Sequence, residues 1–245
     1  MNALVCLAIS ATTATFVYML YNKNKTNWST IKLSVKLLIG FWLLVGTYFF
    51  TESLRILLFS FGIADIDKHI YLLGLIPFIL IPFPLVFYII YVITGSRQTS
   101  LVISIIFIIF GTLYLANIYR SDISGPDISF WGSVYSVNSS FAILTLISGL
   151  FIVPTSMIIA LMVVILVGRV SSLKKNRIIL HLFSISLIFD FILLNNIAIL
   201  GEIQIASRIF IFIGCIFGYL VQFHSDSINP KPQTVQYYGG VEVFE

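Results

Sequence analysis

Seven runs of apolar residues decide what this chain can become, because a backbone in hydrocarbon must satisfy its own N–H and C=O groups and a span needs about 20 helical residues. They lie at Ala3–Tyr21, Leu37–Phe61, Ile70–Thr94, Leu101–Ile118, Phe141–Val167, Ile178–Leu200 and Ile203–Phe223. The chain therefore reads as an all-α polytopic bundle of seven transmembrane helices. Charged residues make up 10% of it, against roughly 25% in soluble domains, and its 245 residues leave little for a separate soluble domain. Residues 1–223 are expected to form the membrane domain and 224–245 a short, flexible cytoplasmic tail carrying His224, Pro230, Pro232 and Tyr237-Tyr238-Gly239-Gly240.

Orientation follows from the basic residues between the runs. Lys23, Lys25, Lys32, Lys36, Arg97, Arg169, Lys174, Lys175, Arg177 and Lys231 fall on one side in strict alternation, and only Lys68 and Arg120 on the other. Ten against two predicts an N-terminus outside and a C-terminus in the cytoplasm. No basic segment precedes the first run, and Lys23 and Lys25 follow it, so it reads as a retained helix rather than a signal peptide. The net charge of +4 is dispersed among loops; it fits membrane orientation, and no nucleic acid is expected as a partner. Cys6 and Cys215 sit inside apolar runs near opposite faces and read as small core residues rather than a disulfide.

Two features interrupt the apolar pattern. The third run contains Pro77, Pro82 and Pro84 and the fifth Pro154; each removes a backbone donor, so the third helix should be kinked or locally unwound, as a packing adjustment or as a transport site. The longest outside loop, 119–138, contains Gly125-Pro126 and Gly132 with Phe130, Trp131 and Tyr135, and reads either as an interfacial anchor or as a lid over an outward pocket. Asp65, Asp67, Asp122 and Asp127 fall in the outside loops.

Few ionisable residues lie within the runs: Glu52, Arg55, Asp190 and Arg208, with His181 and Glu202 nearer helix ends. Counting about 1.5 Å per residue puts Arg55 and Arg208 roughly 8–12 Å from the outer ends and Asp190 near the midplane. Isolated charges are costly at such depth. Glu52 and Arg55, three residues apart on one helix face, are expected to approach Arg208, with Asp190 as the fourth charge and Asn195, Asn196, Gln204, Ser53 and Ser207 as neutral partners. Such a cluster reads as an outward-facing pocket for a small polar or anionic ligand or for protons, or else as an ion-pair network that fixes helix register.

Histidines are too scattered for a metal site, and there is no nucleotide loop, nucleophile elbow or zinc-protease motif. No catalytic role and no cofactor is expected. Seven helices with an outside N-terminus invite comparison with microbial rhodopsins, but the last run contains no lysine for a retinal Schiff base.

The order of features also resembles the seven-helix sensor region found ahead of many bacterial and archaeal histidine kinases. The resemblance rests on Glu52 late in helix two, Tyr71-Leu72-Leu73-Gly74-Leu75-Ile76-Pro77-Phe78 in helix three, the Gly/Ser/aromatic outside loop, Pro154 in helix five and Lys174-Lys175 before helix six, over roughly residues 1–223. No kinase core or glycine-rich ATP box follows. The resemblance implies a stand-alone, receptor-like module that signals through a separate cytoplasmic or membrane protein partner. A small-solute or ion transporter would use the same residues, but needs polar groups on the cytoplasmic side, where the runs are almost wholly apolar. A non-catalytic subunit of a larger complex would expose small residues for close packing, for which Ala8, Ala11, Thr12 and Thr15 in helix one and Gly214 and Gly218 in helix seven have the spacing.

Overall fold

Each apolar run is largely helical in the computed structural model, which describes residues 2–24, 33–121, 123–129, 132–137, 139–167, 172–197, 200–223, 237–238 and 241–242. Lys25, Lys32, Asp122, Phe130, Trp131, Arg169, Lys231 and the tail segment 224–236 lie outside the described residues. In chain order the helices are α1 (Asn2–Asn24), α2 (Leu33–Ser60), α3 (Ala64–Leu80), α4 (Pro82–Thr94), α5 (Arg97–Arg120), α6 (Ser140–Leu144), α7 (Val153–Val167), α8 (Ser172–Ile197) and α9 (Gly201–Phe223). They provide seven spans long and apolar enough to cross a membrane, with α3 and α4 sharing one and α6 and α7 another.

Proline chemistry explains both shared spans. Pro82 and Pro84 cannot donate to the carbonyls four residues back, so the helix stops at Ile81, whose N–H reaches Phe78 O at 3.3 Å. The expected local unwinding is thus confined to one residue. Upstream of Pro154, residues Thr145–Ile152 form a π-helical stretch that joins α6 to α7.

Several hydroxyls inside the spans are satisfied by their own helix, as hydrocarbon favours. Thr12, Thr47, Thr112 and Ser156 each donate to the carbonyl four residues earlier, at 2.7–2.8 Å. The core is aromatic: Phe16 packs on Trp42 with ring centroids 4.6 Å apart, and Tyr48, Phe78, Phe151 and Phe189 continue it across the bundle. Leucine, isoleucine, valine and phenylalanine cover much of the exposed surface, where lipid is the solvent.

Because lipid is as apolar as leucine, close packing carries much of the association between helices. A Cβ added to Gly218 would meet Ser184 Oγ at 2.7 Å and the Trp42 ring at 3.3 Å, and one at Gly214 would meet Ile188 and Leu187 at 2.8–2.9 Å. These two glycines, expected to offer a face to another subunit, are instead consumed by packing within the chain, where Ser184 donates to Gly214 O at 2.7 Å. Gly218→Ala is expected to lower stability by about 1–2 kcal/mol through overpacking. Reversible unfolding in mixed micelles measures this, and equal or greater stability of the variant would reject the tight seam.

The loop after α5 forms a two-stranded hairpin. Ile123–Ser129 (β1) pairs antiparallel with Gly132–Val137 (β2), with an irregularity between Ser124 and Asp127 where Gly125 takes a φ of 123°. β2 touches α2 and α9, the helices that carry Glu52, Arg55 and Arg208. In the tail, Tyr237–Tyr238 (β3) pairs with Val241–Glu242 (β4), and β4 lies against α4.

Candidate functional site

Glu52 and Arg55 fall on one face of α2, and their spacing closes a bond from Arg55 Nη2 to Glu52 Oε2 at 3.0 Å. From α9, Arg208 Nη2 donates to the same oxygen at 3.1 Å, while its Nε donates to Asn195 Oδ1 of α8 at 2.8 Å. Asn195 Nδ2 donates to the Tyr48 hydroxyl at 3.0 Å, and that hydroxyl donates to Asn196 Oδ1 at 3.2 Å. Three helices are thereby tied together, with Arg55 and Arg208 roughly 8–11 Å from the ends of α2 and α9 nearest the β1–β2 hairpin.

The fourth charge is Asp67, not Asp190. Asp67 Oδ2 lies 3.7 Å from Arg55 Nη1 and accepts a 2.7 Å bond from the Tyr135 hydroxyl of β2. Tyr135 stacks on Tyr71 of α3 with ring centroids 4.7 Å apart, and the Arg55 guanidinium lies 5.6 Å from the Tyr135 ring centre and 5.7 Å from that of Tyr71. Asp67 lies in the first turns of α3 because that helix begins at Ala64, ahead of the apolar run. It shares a face with Tyr71 and Gly74, and Gly74 lets α3 close on Thr51 of α2.

Asp190 stands elsewhere. Five residues at about 100° each turn it about 140° round α8 from Asn195, and it is exposed, accepting from Thr155 Oγ1 at 2.8 Å and Ser186 Oγ at 3.2 Å. Its expected place beside Arg208 is therefore corrected, because depth constrains how far along a helix a residue lies and not which way it faces. Gln204 is buried on α9 one turn before Arg208, and Asn196 sits at the edge of the network beside Tyr48. Ser53 donates to Ala3 O at 2.9 Å and Ser207 to Ile203 O at 2.7 Å, so neither joins the charges.

Glu52, Arg55, Asp67 and Arg208 are 4%, 3%, 0% and 1% exposed, and two carboxylates against two guanidiniums leave the cluster formally neutral. It is closed and charge-balanced beneath the hairpin, whereas an open anion pocket would carry surplus positive charge. Arg208 Nη1 and Asp67 Oδ1 have no hydrogen-bond partner among the described residues. A groove of about 470 Å³ lies apart from the cluster, between α1 and α2, lined by Ser10, Ala14, Tyr18, Trp42, Gly46 and Phe50 among others. Among the described residues no group of histidine, cysteine, aspartate and glutamate is suited to hold a metal ion.

Burial, and then the carboxylate to which it donates, push the Tyr135 phenol well above its ordinary value. A raised folded value means the contact is fully stabilising below the unfolded tyrosine value of about 10 and is lost as pH rises beyond it. Hairpin amide protection is therefore expected to be constant from neutral pH up to about 10. Hydrogen exchange corrected for intrinsic rate checks this, and protection that falls between neutrality and pH ~9 would contradict a latch made by a protonated Tyr135.

Seven apolar helices around a closed polar cluster define a multi-pass integral membrane protein. Comparison with protein-family models, with curated proteins and with solved structures finds no match.

Proposed function

We propose that this chain is a receptor-like membrane protein in which the β1–β2 hairpin is an outward-facing lid and the charge cluster beneath it is the ligand-responsive element. The observation that carries the reading is Tyr135. One hydroxyl on an extramembrane hairpin bonds to Asp67, and through Arg55 and Glu52 the contact continues to Arg208 on the last span. A small polar or anionic ligand that competes for Arg55, Arg208 or Asp67 would release the hairpin and repack α2 against α8 and α9. The basic loops and tail, cytoplasmic by the positive-inside asymmetry of the sequence, would face the signalling partner that the sensor-like order of features implies.

Transport is the competing use of buried membrane charges, and the apolar core on the far side of Tyr48, built from Phe41, Trp42 and Val45, argues against it. The test is flux in proteoliposomes with protons, chloride and acetate as probes. Rates equal to protein-free vesicles are expected for both the native chain and Tyr135→Phe. Flux above background that Tyr135→Phe alters would assign the cluster to transport.

A further inference from the structure

Asp190 is the deep charge that the cluster does not use. It lies in the span Ile178–Ile197, about 10 Å from one end and about 18 Å from the other at 1.5 Å per residue, too deep for a short side chain to reach water by bending toward a headgroup. It sits on an exposed apolar face of α8, between Phe183 and Leu194. A carboxylate in lipid at this depth is among the costliest placements a membrane helix can make.

The surroundings of Asp190 are nonetheless organised. Thr155 of α7 and Ser186 of α8 each place a hydroxyl on a different carboxylate oxygen, at 2.8 and 3.2 Å, holding the group in one orientation with acceptor capacity left on both oxygens. No cation lies within ion-pair distance among the described residues, because Arg55 and Arg208 are committed to Glu52 and Asp67. An oriented, outward-pointing carboxylate on an apolar helix face lacks only the complementary charge.

We propose that the α7–α8 face is a docking surface for a transmembrane helix of another protein that carries a lysine or arginine near its middle, with Asp190 as the pairing residue. Charge complementarity selects this occupant: an acyl chain offers no countercharge, and a second copy of this chain has its deep arginines buried in its own core. The inference stands apart from the lid and survives if the hairpin reading fails.

The test reconstitutes the purified full chain in phosphatidylcholine vesicles with a labelled leucine–alanine transmembrane peptide bearing one central lysine, and with the same peptide bearing leucine there. Energy transfer should report association of the lysine peptide about tenfold tighter, as expected for one strong interhelical polar contact. The preference should disappear in Asp190→Asn and persist in Asp190→Glu. Thr155→Val should weaken it by loosening the carboxylate. Equal association of the two peptides with the native chain would overturn the proposal, as would an undiminished preference in Asp190→Asn. Should Asp190→Asn fail to fold, the two-peptide comparison on the native chain still decides the matter.

Discussion

Replacing Arg208 with leucine is expected to destabilise the bundle by roughly 3–5 kcal/mol, because it strands a buried charge instead of removing a pair. The substitution deletes the bonds to Glu52 and Asn195 and leaves two carboxylates facing one guanidinium. Glu52→Leu should be comparably harmful for the opposite reason, leaving Arg55 and Arg208 against Asp67 alone. Combining the two restores neutrality around the remaining Arg55–Asp67 contact, so the double variant should be more stable than the sum of the singles by about 2–3 kcal/mol. Reversible unfolding of all four proteins measures the cycle. Single-variant losses under about 1 kcal/mol would mean that water reaches these charges and that the cluster is not closed.

Tyr135→Phe should have the next largest effect, and a more local one. Phenylalanine keeps the stacking on Tyr71 and the ring beside Arg55 but removes the hydroxyl that Asp67 accepts. A hydrogen bond to a charged group contributes roughly 1.5–3 kcal/mol, so hairpin amides should exchange about 10- to 100-fold faster. Amides in α2 and α9 should keep their rates. Unchanged exchange in β1 and β2 would show that the hairpin is held by something other than this latch, and the sensor reading would lose its central support.

Much of this arrangement was legible in the residues alone, for reasons that also show where legibility stops. Span number and limits follow from apolar length, which hydrocarbon thickness enforces, and the Glu52–Arg55–Arg208 association follows from depth and three-residue spacing. Asp190 has the right depth and the wrong azimuth, because depth along α8 leaves the helix's rotation unset. Asp67 reads as a loop residue rather than a member of the charge cluster because α3 begins with the polar segment Ala64-Asp65-Ile66-Asp67, so a helix turn resembles a loop. Tyr135 lies in the short strand β2, paired with a strand that Gly125 and Pro126 interrupt, and turn chemistry masks the weak alternation of Tyr135 and Val137. Asp67 and Tyr135 both lie where the helical bundle meets its surroundings, and hydropathy carries least information there.

The interruption at Ile81 gives the third span the mechanics of a jointed lever. Above the joint, α3 carries Asp67 and Tyr71 and rests chiefly on α2; below it, α4 rests on α5, with α2 and α7 beside it. A continuous rod would transmit any tilt of its upper arm to the far side of the membrane. Pro82 and Pro84 break the backbone hydrogen-bond ladder at that point, so α2, which touches both arms, offers the unbroken helical path across the membrane.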